Sequence, residues 1–319
     1  MKVCLACSAG GHLLQILQLQ KLYSVYDYFF VVPRRKDSEH LSKDETIYFV
    51  EDTGNKLKTP VNFLQSLKIL LKEKPDVIIT TGAGSALSLC YLGKFFRKKI
   101  IFIESFSRVT TPSLFGRLVA PISDLVIVQW EPLLKYYKKA VCGGSIFNFP
   151  LVGKEKKENY ILLTIGTVHF SFDRLLKEVD RLIDIGAIHK KVIAQIGNST
   201  YKPKNYEYFD FCSSEKIPEL MMNASIVITH GGIGSIVNSL MLGKPTIVVP
   251  RYKKFHEHIN DHQLDITHEL EKEDAIIPVY NISNMQNALR QTEKFKNKKF
   301  TLSNDKIQDI IQKWILNLQ

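Results

Sequence analysis

The residues best suited to chemistry gather at glycine turns. The segment Thr229-His230-Gly231-Gly232-Ile233-Gly234-Ser235 follows an apolar run, Ile226–Thr229, and opens a helix-forming stretch, Ser235–Leu242. Glycines let a backbone approach a phosphate closely. The free N–H groups and positive dipole end of the following helix attract an anion. His230 adds a side-chain donor. The pattern is neither G-x-G-x-x-G nor a P-loop, because no Gly-Lys-Ser/Thr follows. Downstream come Gly243-Lys244-Pro245, Val248-Val249-Pro250-Arg251 and the polar set His256-Glu257-His258 and Asn260-Asp261-His262-Gln263. Such a set at a strand end and helix start suits the reading of sugar hydroxyls. His258 and His262 have the i, i+4 spacing of two metal ligands on one helix face. H-E-x-x-H is absent and no cysteine lies near, so hydrogen bonding is expected there and no metal.

Two further constellations repeat the theme. Ser8-Ala9-Gly10-Gly11-His12 is again a strand end, a glycine turn and a helix start. His12 lies in the first helical turn and can take a proton near neutral pH. Glu104-Ser105-Phe106-Ser107-Arg108 directly follows the apolar run Ile100–Ile103. A carboxylate at a strand carboxyl end is expected to face a cleft, where Glu104 activates a hydroxyl or orients His12. Arg108 is expected to bind phosphate. Gly166-Thr167 after Ile161–Ile165, and Gln195 after Val192–Ala194, occupy the same kind of position.

These turns need elements to hold them. Val3–Cys7, Tyr28–Val32, Ile47–Val50, Val77–Thr80, Ile100–Glu104 and Leu125–Val128 read as strands. Val61–Lys72 and Ala86–Phe96 read as helices between them. The stretch from Gly143 to Tyr160 breaks the rhythm with glycines, Pro150 and the charged run Lys154–Glu158, as a linker does. The pattern restarts with strand Tyr160–Ile165, helix Phe172–Ile185, strands Val192–Ile196 and Ile226–Thr229, helix Ser235–Leu242 and strand Thr246–Val249. Ser303–Leu318 reads as a closing helix. Continuous apolar strands alternating with helices predict parallel α/β sheets. The run Asp76–Ser85, with Thr81-Gly82-Ala83-Gly84-Ser85, echoes Ser225–Ser235 and supports twin open sheets with sites at strand carboxyl ends. The division is 1–150 and 151–319, with the last helix packing back on the first half.

Bulk properties narrow the class. The chain has 319 residues, 45% of them hydrophobic, enough for two cores. A formal net charge of +11 suits nucleic acid, an anionic membrane surface or a phosphorylated substrate. No basic motif of the recognised nucleic-acid modules is present. Five cysteines form a sparse, odd set that points to a reducing compartment. Cys4 and Cys7 fall on one strand and read as buried thiols. The opening residues do not form a signal peptide, and no apolar run reaches the length of a membrane span.

Taken together, these motifs resemble a family. The first half is similar to the membrane-associated, acceptor-binding subunit of the eukaryotic UDP-N-acetylglucosamine transferase that builds dolichol-linked oligosaccharide. Ser8–His12, Thr81–Gly84 and Ile103–Val109 carry that likeness. The second half resembles the catalytic, donor-binding subunit through Thr164–Thr167, Ile228–Ser235, Gly243–Pro245, Val248–Arg251 and Asp261–Gln263. Bacterial exopolysaccharide and capsule enzymes carry the same two parts, here fused. The resemblance implies a GT-B fold, two Rossmann-like domains facing a central cleft. It implies an inverting transfer without an essential metal or cofactor, from a UDP-sugar to a sugar on a polyprenyl diphosphate. Gly166, Thr167, Gln195, His230–Gly232, Gly234, Ser235, Pro250, Arg251, His258, Asp261, His262 and Gln263 would then bind the donor. Gly10, Gly11, Gly82, Gly84, Ser85 and Arg108 would bind the acceptor, and His12 or Glu104 would be the base. Asn238 stands where many relatives place a glutamate that contacts the ribose, so its place among the donor contacts is a departure.

Without the eukaryotic subunit's membrane span, attachment to the inner face of the cytoplasmic membrane falls to a surface patch. Leu114, Phe115, Leu118 and Val119 with Arg108 and Arg117 form one candidate, flanked by Arg34-Arg35-Lys36 and Arg97-Lys98-Lys99. The sequence leaves open galactose, glucuronic acid and N-acetylglucosamine as the sugar. A rival from another class is a non-enzymatic nucleotide- or nucleic-acid-binding protein. A UDP-sugar epimerase is a second enzyme rival, disfavoured because the early G-x-G-x-x-G and the Tyr-x-x-x-Lys pair it would want are missing.

Overall fold

A computed structural model of the chain describes residues 1–41, 43–148, 159–212, 216–259, 261–294 and 303–318. It divides into two compact units. The first comprises residues 1–148 and 302–319, the second residues 149–301.

The first unit runs β1 (Lys2–Cys7), α1 (Gly11–Leu17), α2 (Gln20–Tyr23), β2 (Asp27–Pro33), α3 (Lys36–Leu41) and β3 (Ile47–Val50). It continues with α4 (Thr59–Glu73), β4 (Val77–Gly82), α5 (Leu87–Phe95), β5 (Lys99–Ile103), α6 (Leu114–Val119), β6 (Leu125–Val128) and β7 (Ala140–Cys142). The second unit runs β8 (Tyr160–Thr164), α7 (Asp173–Asp184), β9 (Lys191–Gln195), β10 (Glu207–Phe209), α8 (Lys216–Asn223) and β11 (Ile226–His230). It ends with α9 (Ile233–Met241), β12 (Thr246–Val249), α10 (His262–Lys272), β13 (Ile277–Pro278) and α11 (Met285–Lys294). The final helix, α12 (Asp305–Leu316), is part of the first unit.

Each unit is built on one parallel sheet, ordered β3-β2-β1-β4-β5-β6-β7 in the first and β10-β9-β8-β11-β12-β13 in the second. Val3–Cys7, Ile78 and Ile100–Ile103 are buried, as are Leu162, Leu163, Val227 and Ile228, because helices cover both faces of each sheet. In each sheet the strand order reverses between the first and fourth strands, β1/β4 and β8/β11. Ligands of open α/β sheets bind outside the carboxyl ends of strands at that crossing. The glycine turns singled out in the sequence follow these four strands. The helix α12 buries Ile307, Ile311 and Ile315, spaced four apart on one face, worth about 1.5–3 kcal/mol each. Asn304 Nδ2 also donates to the Gln18 carbonyl at 2.8 Å.

The strands and helices expected from the sequence fall close to their expected positions, whereas α8, α10 and α11 were not among them. Shorter elements such as β7, β10 and β13 had no periodic signal. Residues 149–158, most of the expected linker, lie outside those described. No helix among the described residues is long and apolar enough to cross a membrane.

Candidate functional site

At the first switch point, Ser8 N–H donates to the Gly82 carbonyl at 3.0 Å, which ties the ends of β1 and β4 together. Gly10 adopts φ 78, a left-handed turn that favours glycine, and α1 starts at once. The start of α1 is clasped to β4 in both directions. His12 Nδ1 lies 2.6 Å from the Thr81 carbonyl oxygen, and Thr81 Oγ1 donates to the His12 carbonyl at 3.0 Å. A carbonyl only accepts, so Nδ1 carries the proton and Nε2 is left as the acceptor nitrogen. Burial, with Arg108 adding to it, lowers the His12 pKa, which keeps the ring neutral at physiological pH.

A cavity of about 340 Å³ opens here. Polar groups line one part of it: His12, Thr81, Ser105, Ser107, Arg108 and Ser113. Leu87, Leu114, Phe115 and Leu118 line the rest, and Gly82 and Gly84 form its floor. A cation, a neutral histidine and an apolar wall suit a phosphorylated amphiphile. The turn Ser105–Arg108 is held by Gln15, whose Oε1 accepts from Phe106 N–H at 2.8 Å and from Gln129 Nε2 at 3.0 Å. A cβ on Gly10 or Gly11 would meet nothing within 4 Å, so space lies open beside both.

Two expectations for this unit are corrected. Glu104 does not face the cavity. It is 1% exposed and its carboxylate is consumed by internal donors, because the chain folds Ser113 and Tyr137 over it. Ser85 is 2% exposed, its hydroxyl turns toward the Cys7 carbonyl at 3.5 Å, and it does not line the cavity. Gly84 is glycine for a packing reason as well, since a Cβ would sit 2.5 Å from Thr53 Oγ1. In the surface patch, Leu114 and Leu118 are exposed as expected, whereas Phe115 and Val119 turn into the core. Exposed Tyr91 and Phe95 on α5 extend the apolar surface instead. Arg35 is engaged with Asp52 at 2.5 Å and Arg34 with Glu39 at 3.3 Å; the side chain of Lys36 lies outside the described residues.

The second switch point is built around His230, the last residue of β11. Its ring packs so closely that an ideal Cβ on Gly232 would lie 2.0 Å from Nε2, and one on Gly166 2.6 Å from Cε1. These two glycines therefore make room for the ring. Burial, the nearby Arg251 charge and His258 hold the His230 pKa down to about 3. The ring is therefore neutral. It donates to the Thr164 carbonyl, the one partner that opposes the shift.

Gln263 and Arg251 brace the same loops from behind. Gln263 Oε1 accepts from Gly231 N–H at 3.1 Å and from Arg251 N–H at 2.9 Å. Arg251 is fully buried. Its Nη1 donates to the carbonyls of Phe170, Ser171 and Glu257 at 3.0, 3.0 and 3.1 Å, and its Nη2 to Ile165 at 2.8 Å. The guanidinium also sits 4.5 Å over the Phe172 ring. Both residues are thus placed to hold loops in shape. The Gly231 amide is likewise already taken. Gln195 is buried and accepts from Thr164 Oγ1 at 2.8 Å.

What remains open on this unit is the first turn of α9. A Cβ on Gly234 would meet nothing within 4 Å, and Ser235 and Asn238, one turn apart, are half-buried on that helix. The nine-residue α9 presents its N-terminal amides there. Thr167 is exposed in the loop after β8, and Pro250 is buried and accepts from Arg174 Nη2 at 3.2 Å. Asp261 Oδ1 accepts from Lys253 N–H at 2.7 Å, which fixes the turn before α10. His258 lies in that turn, with its ring 5.9 Å from Phe170. His262 begins α10, so the two do not share a helix; the side chain of His262 lies outside the described residues. Among the described residues no group of three or more His, Cys, Asp or Glu side chains is placed to hold a metal ion.

Sequence reasoning missed Arg174. It pairs with Glu257 through Nε–Oε1 at 2.9 Å and Nη2–Oε2 at 3.0 Å, and lies 5.4 Å from the Tyr252 ring and 5.1 Å from that of Phe255. The partners lie far apart in sequence, and nothing in the motif around either one signals the pair.

Comparison with known proteins finds two separate matching segments, one within the first unit and one that covers most of the second and runs on into α12. Residues 53–146 match the family described as oligosaccharide biosynthesis protein Alg14 like. Residues 160–314 match the glycosyltransferase family 28 C-terminal domain. The chain is 28% identical over 203 residues to the UDP-N-acetylglucosamine--N-acetylmuramyl-(pentapeptide) pyrophosphoryl-undecaprenol N-acetylglucosamine transferase of Clostridium botulinum. That match covers 59% of this chain and 56% of the relative. Over 77 residues it is 44% identical to the UDP-N-acetylglucosamine transferase subunit alg14 of Schizosaccharomyces pombe, covering 23% of this chain and 37% of the subunit. The chain thus spans little more than half the length of the first relative and less of the second.

Among solved structures, it is similar to the UDP-GlcNAc 2-epimerase of Methanocaldococcus jannaschii, with a TM-score of 0.73, 16% identity and 100% of both chains covered. It is also similar to MurG of Acinetobacter baumannii, with a TM-score of 0.60, 12% identity and 98% and 100% covered. At those identities the likeness speaks to fold, and the fold is α/β of the GT-B type. In one polypeptide, this chain carries a segment that matches the Alg14-like family and, after it, one that matches the glycosyltransferase family 28 C-terminal domain.

Proposed function

We propose that this protein is a glycosyltransferase that moves a sugar from a UDP-sugar to a saccharide carried on a polyprenyl diphosphate. One observation carries the reading. The Alg14-like match and the glycosyltransferase family 28 match fall on the two sheets in that order, and each has its glycine turn at a switch point. Fold by itself does not choose the reaction, since epimerases and transferases share it. N-acetylglucosamine is the first sugar to test, because the named relatives of both segments transfer it. The reading extends to exopolysaccharide or capsule assembly, to inversion without a metal, and to a peripheral position on the inner face of the cytoplasmic membrane. Exposed Leu114, Leu118, Tyr91 and Phe95 beside Arg117 supply an apolar and basic surface for that position.

In the proposed chemistry the acceptor hydroxyl gives its proton to His12 Nε2 as its oxygen attacks the anomeric carbon. The bond from that carbon to the UDP oxygen breaks, and UDP leaves with the electron pair. Arg108 balances charge on the acceptor diphosphate, and the N-terminal amides of α9 stabilise the leaving diphosphate. The neutral state of His12 is what a base requires. A panel of radiolabelled UDP-sugars, offered with lipid-linked acceptor in membranes, tests the reading. One donor is expected to label the lipid fraction; no labelling from any donor by folded protein would defeat it.

A further inference from the structure

The geometry points to Glu104 as a positioning residue that holds the wall of the acceptor cavity in place, with no contact to the reacting atoms. This inference rests on the transferase reading for its kinetic consequences and on geometry alone for its structural one. Glu104 follows β5, and its carboxylate receives four donors. Ser105 N–H reaches Oε1 at 2.8 Å. Oε2 receives Ser113 N–H at 3.0 Å, Ser113 Oγ at 3.1 Å and the Tyr137 hydroxyl at 2.5 Å. With donors from three stretches of chain converging on it, this carboxylate is a knot that joins them.

The knot sets the start of α6. Ser113 donates to Glu104 and in turn accepts from Gly116 N–H at 2.8 Å, capping the helix. The helix packs so tightly on the knot that a Cβ on Gly116 would lie 2.2 Å from the Tyr137 hydroxyl oxygen and 2.5 Å from Glu104 Oε2. From the same short helix, Leu114, Phe115 and Leu118 line the cavity that holds His12. A six-residue helix has little stability of its own, so its place depends on the cap and the knot. Tyr137 arrives from beyond β6, which makes the cavity wall answer to residues that never touch a ligand.

Three variants test this: Glu104→Gln, Tyr137→Phe and Gly116→Ala. Glutamine keeps the shape but offers one acceptor oxygen, and its NH₂ must face an N–H or the three-donor set. Hydrogen exchange on the ligand-free protein is the first readout. All three variants are expected to exchange the amides of Ser113–Leu118 faster, by about tenfold or more, with the sheet amides unchanged. Kinetics are the second. The acceptor KM is expected to rise about tenfold, with donor KM, kcat and the pH profile nearly unchanged. Tyr137→Phe removes a single donor and is the mildest, so it reports even where another variant fails to fold. Unchanged exchange in α6 for Glu104→Gln would overturn the proposal. So would a collapse of kcat with loss of one limb of the pH profile at constant acceptor KM, since that marks a group acting on the reacting atoms. If the wild-type chain transfers no sugar, the transferase reading fails while the exchange measurement still decides the role of Glu104.

Discussion

Replacing Gly232 with alanine is expected to destabilise the second unit only while His230 is present. The backbone at Gly232 has φ −80 and ψ 122, a conformation open to any residue, so alanine brings no backbone strain. The cost comes from contact, because the new Cβ would lie 2.0 Å from His230 Nε2 and 2.7 Å from Cε1. The ring has little room to give, being packed against Gly166 on another side. Overpacking of this kind costs about 1–3 kcal/mol. In a His230→Ala background the obstacle is gone, and Gly232→Ala should be neutral or stabilising by about 0.4–1 kcal/mol through the unfolded chain. A double-mutant cycle of urea midpoints, read by circular dichroism, should therefore give a coupling of about 2 kcal/mol. In a unit this size, each kcal/mol moves Tm by about 2–4 °C. Equal cost in both backgrounds would refute the view that the ring dictates the glycine.

Three further outcomes follow from the two sites. Because the folded His230 titrates near 3 and an unperturbed histidine near 6.5, the unfolded chain takes the proton first on acidification. The stability contribution is intact above pH 6.5 and is lost progressively toward pH 3, so wild type should lose stability faster than His230→Gln over that window, by up to about 1.4 kcal/mol per pH unit; parallel curves would contradict it. Arg251→Lys cannot serve carbonyls on four different residues with one ammonium, and should lower stability by about 2–4 kcal/mol in denaturant titrations; a neutral result would mean those bonds contribute nothing. His12→Gln should cut transfer about 10²–10⁴-fold while leaving UDP affinity by calorimetry unchanged; transfer within twofold of wild type would remove His12 as the base.

Much of the fold was legible because buried parallel strands advertise themselves as short apolar runs ended by glycine turns. Val77–Thr80 and Ile226–Thr229 are of this kind, and both proved to be the central strands beside a switch point. The position of a residue at a strand end was legible too, but its partners were not. Glu104, Gln195 and Arg251 lie at such ends and Gln263 at the start of α10, and each makes its hydrogen bonds to the protein itself. That outcome depends on residues far off in sequence: Tyr137 for Glu104, and Phe170 for Arg251. The motif around Gly231-Gly232 pointed to a phosphate, yet close packing explains both glycines, while Gly234 borders open space. A sequence motif records that a small residue is required and does not record whether a ligand or a neighbouring side chain requires it.

The central claim is tested most directly by mixing the purified chain with UDP-N-acetylglucosamine and a polyprenyl-diphosphate-linked sugar in detergent, then weighing the lipid by mass spectrometry. The expected result is a lipid heavier by one N-acetylhexosamine, with UDP released in equal amount. An unchanged lipid, with the nucleotide sugar either intact or converted to its 2-epimer, would contradict the account.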